Sequence, residues 1–464
     1  MRISVITPTH NARHLSEAWA SLRQQTYSDW EWVVTVNHES GDDPGKSPTG
    51  GEIAMRRIAK EVADLVKGDP RVRIKTFLHD NAGSIGACKR AAFEAGDGEV
   101  LVELDHDDIL VPEALAEIAR AFEEPEIGFV YSDWADFEDD SGGLGSAWPH
   151  GPRPPGQEQG QPRTYVHPET RPNWISNGFQ FYRANIAGLR AGSYECVSAF
   201  SPSALAFSLI YFAPNHVRAW RRTVYQQIGG HSPDFKICDD HELLIRTYLA
   251  TRVHHIAKPL YLYRYGANTF DKRTEEIRKL TFELHAAHFE RLVRRQCFLE
   301  GRQAIDLPVR RNMGEEYVNE IGLASWKEWP STRLDTGSVG AIKINDALAH
   351  HADKNGMMAE IYRVLAPGGY LLSLTPSTDG RGAFMDPGHL SYWNEQSFWY
   401  WTRAAQAKFL QGAGPHPRFQ EIAIPHGLTT FFPSKWHEDN KISYVRANLV
   451  ALKDGTRLPG EIQV

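Results

Sequence analysis

Cysteine is scarce in this chain, with four in 464 residues at Cys88, Cys196, Cys238 and Cys297. Their wide spacing leaves no Cys-x-x-Cys pair, which argues against a disulfide framework or a structural zinc site. Long apolar runs are missing as well. Phe207 to Ala213 is among the longest, far short of the ~20 residues of a bilayer span, and the mean hydropathy is −0.45. No signal-peptide apolar core precedes a small-residue cleavage site; the chain opens on Met1-Arg2-Ile3-Ser4-Val5-Ile6-Thr7-Pro8, which reads as a strand. These absences lead to the expectation of a reduced, cytoplasmic setting without a membrane span. Hydrophobic residues at 41% and charged residues at 23% exclude disorder as the main state. At roughly 100–200 residues per domain, the length predicts two to four domains.

Charge is unevenly spread. The net charge is −7, yet Arg246 to Arg311 holds 14 Lys and Arg against 7 Asp and Glu, so the remainder carries −14. Such a block is a solvated helix face or a patch for an anionic partner or diphosphate ligand.

The first 135 residues alternate strand and helix signals. Strands are predicted at Ile3–Thr7, Trp32–Val36, Val72–Leu78 and Val100–Leu104. Helices are predicted at Leu15–Gln24, Glu52–Val66 (buried stripe Ile53, Ile58, Val62, Leu65), Gly83–Ala95 and from Pro112 to Glu124. This alternation predicts a parallel sheet covered on both faces, with ligands beyond the carboxyl ends of its strands. Residues 138–172 are rich in Gly and Pro and read as a long loop or insertion. A helix over Asp239–Ala250, a strand over Leu260–Tyr265 and a long amphipathic helix from Thr274 to about Glu300 follow. A second composition unit starts near Gln303, with strands at Gly340–Asn345, Tyr370–Thr375, Arg418–Ile424 and Ser443–Leu452. Its helix Met357–Leu365 is stopped by Pro367-Gly368-Gly369. The expected organisation is α/β throughout: a first domain over 1–272, a linking helix over 273–302 and a smaller domain over 303–464.

The strongest chemical signal is Val100-Leu101-Val102-Glu103-Leu104-Asp105-His106-Asp107-Asp108, an apolar strand that delivers carboxylates at its carboxyl end. Asp105 and Asp107 are two residues apart, and an extended chain points both the same way. Hard divalent cations take such oxygen ligands together with substrate phosphates. The blander reading is a polar loop capping the following helix, a role open to Asp108.

With their neighbours these residues resemble family 2 glycosyltransferases of the GT-A fold. Val5-Ile6-Thr7-Pro8-Thr9-His10-Asn11 looks like that family's first strand and nucleotide loop, and Trp30 to Val36 like its second strand. Asp80-Asn81-Ala82-Gly83 with Lys89 looks like its N-x-G turn and basic residue, and Leu104 to Asp108 like its DxD motif. Gly229-Gly230-His231 followed by Asp239-Asp240-His241-Glu242-Leu243 and Arg246 looks like the acceptor-side motif. The resemblance covers about residues 1–270. It implies a nucleotide-sugar donor, most readily a UDP-sugar, a divalent metal (Mn²⁺ or Mg²⁺) and inversion at the anomeric carbon. It also implies roles. Thr7, Pro8, Thr9, Asn11, Asn37, Asn81, Gly83, Lys89, Asp105 and His106 line the donor nucleotide, and Asp105 and Asp107 hold the metal. Asp240, with Asp239 beside it, serves as general base, its pKa raised by burial and its acidic neighbour. Gly230, His231, His241 and Arg246 lie on the acceptor side. The chain departs from the family at two places. Asn37 stands where an Asp usually bonds the base, and Tyr263-Arg264-Tyr265-Gly266 lacks the usual metal-binding His.

Residues 303–453 resemble class I methyltransferases of a type frequent in phage-encoded proteins. Matching runs are Ser338-Val339-Gly340-Ala341-Ile342, Glu360 to Leu365, Pro367-Gly368-Gly369, Thr375 to Phe384 and Asp386 to Glu395. A methyl donor requires a glycine-rich turn and a ribose-binding acid. Here Asp306 to Asn312 has no glycine, only Glu320 is available as the acid, and Ala349-His350 replaces a usual Glu-His. The expectation is a degenerate methyltransferase fold that does not bind S-adenosylmethionine. Its aromatic run, Trp393, Phe398, Trp399, Tyr400 and Trp401, reads as core.

The leading functional expectation is therefore a metal-dependent inverting transferase acting on a glycan or other hydroxyl acceptor. An alternative takes hydroxymethylated bases in DNA as acceptor, motivated by the basic block. Other classes are a bifunctional methyltransferase and a non-catalytic glycan-binding protein. A homo-oligomer is compatible with the sequence.

Overall fold

A computed structural model describes residues 1–39, 48–79, 84–138, 179–186, 193–208, 214–265, 269–307, 334–410, 416–422, 427–453 and 456. The expected positions Asn81 and Gly83, most of the 138–172 insertion, Gly266 and the 308–333 stretch lie outside them. The chain divides into two units, Met1–Ile175 with Phe179–His288, and Ser176–Gly178 with Phe289–Val464. Both are mixed α/β.

In the first unit the strands are β1 (Ile3–Thr9), β2 (Trp30–Glu39), β3 (Val72–His79), β4 (Val100–Glu103), β5 (Ile109–Leu110), β6 (Ile127–Glu138), β7 (Gln180–Asn185), β8 (Ser193–Ser198), β9 (Arg218–Arg221) and β10 (Arg252–Tyr265). They form one sheet in the order β3-β2-β1-β4-β9-β6-β10-β5, with β8 on β6 and β7 on β8. β3, β2, β1 and β4 are parallel, as their helix-connected order requires. The direction changes at β9, which is antiparallel to both β4 and β6. β1 and β4 are buried almost throughout, the signature of strands covered on both faces.

Helices α1 (Leu15–Arg23), α2 (Pro48–Val66), α3 (Ile85–Glu94) and α4 (Ala114–Ala121) fall where helical spacing predicts them. The buried stripe of α2 differs from expectation: Met55, Ile58, Val62 and Val66 face inward, while Ile53 is 67% exposed. Only the set 55, 58, 62, 66 keeps to one face over three turns. The Ser84 hydroxyl caps α3 by accepting from Ala87 N at 3.1 Å, replacing one missing helical bond. All four cysteines are buried.

In the second unit, β11 (Gln303–Leu307), β12 (Val339–Asn345) and β13 (Leu365–Pro376) run parallel. β16 (Tyr444–Ala451) pairs antiparallel with β13, and with β14 (Phe419–Glu421) and β15 (Leu428–Phe431). The expected stop at Pro367-Gly368-Gly369 is a bulge inside β13. The helix Lys354–Val364 runs straight into the strand, and pairing with β12 slips between Leu365 and Tyr370, where Gly368 has φ 73°. Of the aromatic run, Trp393, Phe398 and Trp401 are core, while Tyr400 is exposed. The long helix Thr269–Leu299 leaves helical geometry at Arg273. Among the described residues no helix is long and apolar enough to cross a membrane.

Candidate active site

The site lies where β1 and β4 end and β9 begins. Register pairs Glu103 on β4 with Arg218 on β9, so two buried side chains of opposite charge sit side by side at the sheet's direction change. An ion needs compensation in such a place. Lys89 from α3 supplies part of it: its ammonium bonds Glu103 Oε1 and stands 4.0 Å from Asp105 Oδ1. Arg218 Nη1 is 3.6 Å from Glu103 Oε2 and donates to Asp240 Oδ2 at 2.9 Å. Burial works against charge on Glu103, but Lys89, His216 and Arg218 outweigh it and hold its carboxyl well below the usual range. Lys89 stays charged for the converse reason: Glu103, Asp105, Asp239 and Asp240 together overcome its burial.

Three potential metal-ligating atoms converge beside this lattice. Glu103, Asp105 and His216 place one ligand atom each within 4.8 Å of one another. His216 Nδ1 lies 2.9 Å from Asn215 Oδ1; the amide oxygen only accepts, so Nδ1 carries a proton and Nε2 is the nitrogen turned towards the carboxylates. That Nε2 lies 3.6 Å from both Glu103 Oε2 and Asp105 Oδ2. Neither His216 Nε2 nor Glu103 Oε2 has a hydrogen-bond partner. Two orphaned buried ligand atoms beside the part-exposed Asp105 fit a divalent cation with oxygen and imidazole ligands. Stacking on Tyr261, with ring centroids 4.8 Å apart, fixes the His216 ring.

Asp107, expected as a metal ligand, is not in this trio. Its turn is anchored from behind: Arg264 Nε donates to Asp107 O at 2.6 Å, and Arg264 N and Tyr261 Oη donate to Asp108 at 2.6 and 2.8 Å. Burial and the carboxylates of Asp107 and Asp105 push the Asp108 carboxyl well above its ordinary value. Tyr261 Oη also accepts from Asp105 N at 3.1 Å. Beside this turn, the Thr9 hydroxyl bonds Asn11 O, and Asn11 Nδ2 reaches His106 Nε2 at 3.2 Å. The expected nucleotide-loop residues Thr9 and Asn11 and the acidic turn thus form one rim. Thr7 does not join it: its hydroxyl accepts from Trp32 Nε1 at 2.9 Å inside the core. Pro8 and Asn37 are half-buried at the ends of their strands.

The helix Asp239–Ala250 brings the other carboxylates, and its two Asp residues titrate in opposite directions. Burial, reinforced by Asp240 and Glu103, pushes the Asp239 carboxyl up to about 7 despite Lys89. Burial also opposes charge on Asp240, but Arg218 and Lys89 prevail and lower its pKa. The raised member is therefore not Asp240, as expected, but Asp239. The reason is Arg218, a buried cation whose ion pair selects Asp240. Asp240 is also the accessible member, its side chain 30% exposed against 4% for Asp239.

The remaining acceptor-side expectations resolve into supports. Arg246 is bound by Glu242 and donates to the carbonyls of Ile228 and Gly230, the latter at 2.8 Å. It clamps the Gly229-Gly230 turn. Gly230 has φ 62°, and a Cβ there would lie 2.6 Å from the Tyr225 ring. That turn delivers His231, which lies 2.8 Å through Nδ1 from Tyr225 Oη and is held neutral by burial, its pKa down to about 3. His231 Nε2 faces Asp239 Oδ2 at 3.8 Å. His241 is likewise neutral, its pKa lowered to about 4 by burial, with Nε2 3.2 Å from Ser208 O. Glu103, His216 and Arg218 are the site residues that motif reading missed. A signal existed for Glu103, a charge at the end of an otherwise apolar strand.

Much of the basic block is already paired, Arg246 with Glu242, Arg252 with Glu126, Lys258 with Glu117, Arg264 with Glu17, and Arg294 with Glu290 and Asp306. Arg310 and Arg311 lie outside the described residues.

Residues 4–196 match the family model described as Glycosyl transferase family 2. The O-antigen biosynthesis protein RfbC of Myxococcus xanthus is 29% identical over 271 residues, 57% of this chain and 16% of that protein. An uncharacterized glycosyltransferase of Nostoc sp. is 32% identical over 128 residues, 27% of this chain and 34% of that protein. The chain spans no more than about a third of the length of the curated relatives it matches. Among solved structures, S. aureus TarS 1–349 is 17% identical with a TM-score of 0.37, covering 71% of this chain and 77% of that one. Residues 4–196 of the amino-terminal unit are thus similar to the glycosyl transferase family 2 model.

Proposed function

We propose that the chain transfers a sugar, with inversion, from a nucleoside-diphosphate sugar to an acceptor hydroxyl. The observation that carries this reading is the charge lattice in which Arg218 ties the accessible Asp240 to the buried Glu103, beside Asp105 and His216. The family match over residues 4–196 supports it. Asp105 and His216, with Glu103 behind them, would hold a divalent cation, and Asp107 flanks them from the same turn. When bound, the cation offsets charge on the diphosphate leaving group. A UDP-sugar is the donor we favour, with Asn37 at the base.

Asp240 is the general base. At neutral pH it is ionised and accessible, whereas Asp239, pushed up to about 7 by burial and by its carboxylate neighbours, ionises less readily. Asp240 takes the proton of the acceptor hydroxyl as that oxygen attacks the anomeric carbon and the bond to the diphosphate breaks. Arg218 aims the carboxylate, and Asp239 with His231 packs the start of its helix. In the carboxyl-terminal unit we read a methyltransferase-type sheet that lacks the glycine turn for S-adenosylmethionine.

The test is a nucleotide-sugar panel with and without Mn²⁺, run on wild type and Asp240→Asn. The amide keeps an acceptor for Arg218 but takes no proton. Transfer should fall about 10²–10⁴-fold in kcat, with donor KM unchanged, the mark of an interaction made in the transition state. Wild-type kcat in the variant would remove Asp240 from the mechanism.

A further inference from the structure

The second unit holds a separate set of metal-ligating side chains. β12 and β13 are parallel neighbours, and the segments leaving their carboxyl ends are the turn Ala347–His350 and the stretch from Arg381 to Leu390. Ligands of α/β sheets bind at this edge. Backbone bonds staple the two segments together: Leu390 N and Ser391 N donate to Ala349 O at 2.8 and 3.0 Å. Ser391 Oγ donates to Leu348 O at 3.0 Å.

Across this staple His350, Asp386 and His389 bring one ligand atom each within 4.8 Å of one another. His350 Nδ1 lies 2.9 Å from Gly388 O, and His389 Nδ1 lies 2.8 Å from Ala383 O. Carbonyl oxygens only accept, so both Nδ1 atoms carry protons, and Nε2 is the nitrogen each ring offers to a metal. Metal-bound imidazoles are oriented in this manner by a backbone partner on the second nitrogen. Asp386 Oδ1 accepts from Gly388 N at 2.7 Å, which fixes the carboxylate and leaves Oδ2 3.9 Å from His350 Nε2. Gly388 permits the approach, since a Cβ there would lie 3.2 Å from His350 Nδ1.

We propose that His350, Asp386 and His389 form a binding site for a divalent transition metal of the zinc class, distinct from the carboxylate-rich site of the first unit. Two imidazoles and one carboxylate suit Zn²⁺ or Co²⁺ better than Mg²⁺. Tetrahedral ligands at about 2.0–2.1 Å stand about 3.3 Å apart, so the side chains close by about 1 Å on binding. Three protein ligands leave a coordination position for water or a further ligand. The site does not depend on the glycosyltransferase reading.

The experiment adds Zn²⁺ to the metal-stripped Asp105→Asn chain, which lacks one ligand of the first unit's site, and measures retained zinc and thermal stability. One equivalent of Zn²⁺ should be retained and should raise Tm. Asp386→Asn keeps the amide acceptor for Gly388 N, and His389→Ala alters a part-exposed ring, so both variants should fold. Each should weaken zinc binding at least about 10–100-fold, the loss that even outer-shell partners cause. Undiminished zinc retention when either substitution is added to the Asp105→Asn chain, or no retention by the Asp105→Asn chain itself, would overturn the proposal.

Discussion

Asp239 and Asp240 are chemically identical neighbours, and the structure separates them through one residue. Arg218 pairs with Asp240 and keeps it ionised, while Asp239 is pushed up to about 7 by burial, Asp240 and Glu103 despite Lys89. This has a consequence for stability. Between the unfolded value of 3.8 and about 7 the folded chain holds a proton that the unfolded chain has released. The contribution is full below 3.8 and is lost as pH rises through about 7. Asp239→Asn should flatten this slope: urea midpoints compared at about pH 5 and about pH 8 should fall further in wild type than in the variant. Equal falls would contradict the assignment. Arg218→Leu should strip Asp240 of its partner and leave Glu103 with less compensation; removing one member of a buried pair costs about 3–5 kcal/mol. Chemical denaturation would read that loss.

At the scale of elements, the turn Ile228–Gly230 illustrates how backbone positions chemistry. Gly230→Ala must place a side chain at positive φ and against Tyr225. The cost should be about 1–3 kcal/mol, measured as a lower Tm, and an unchanged Tm would show that the turn yields freely. Much of this unit was readable in advance. The helix Asp239–Ala250 lies at its predicted bounds, and β1, β2, β3 and β4 lie within a few residues of theirs, because alternating apolar runs and short connections constrain them. What escaped has physical reasons. Ile53 is apolar but sits off the face that α2 buries, and Pro367-Gly368-Gly369 breaks a strand's register as readily as it ends a helix. In the site, Asp105 and Asp240 stood out as acidic doublets. Glu103, His216 and Arg218 did not, because each is a single polar residue whose partner lies across the sheet rather than along the chain.

At the scale of the molecule, two α/β units each place polar side chains beyond the carboxyl ends of parallel strands, with different ligand chemistry. The first gathers carboxylates, Lys89 and Arg218; the second gathers His350, His389 and Asp386. The sequence from Asp306 to Asn312 lacks the glycines that a methyl donor needs, so S-adenosylmethionine should leave the Tm of the full-length chain unmoved; a clear rise would restore a methyltransferase reading. The central claim concerns the first unit, that its acidic turn and charge lattice receive a nucleoside diphosphate together with a divalent cation. Calorimetric titration of UDP into the full-length chain, with and without Mn²⁺, tests it most directly. The account predicts Mn²⁺-dependent binding that Asp105→Asn abolishes and Asp240→Asn leaves intact, whereas binding unaffected by Mn²⁺ and by Asp105→Asn, or no binding of UDP, GDP or dTDP, would contradict it.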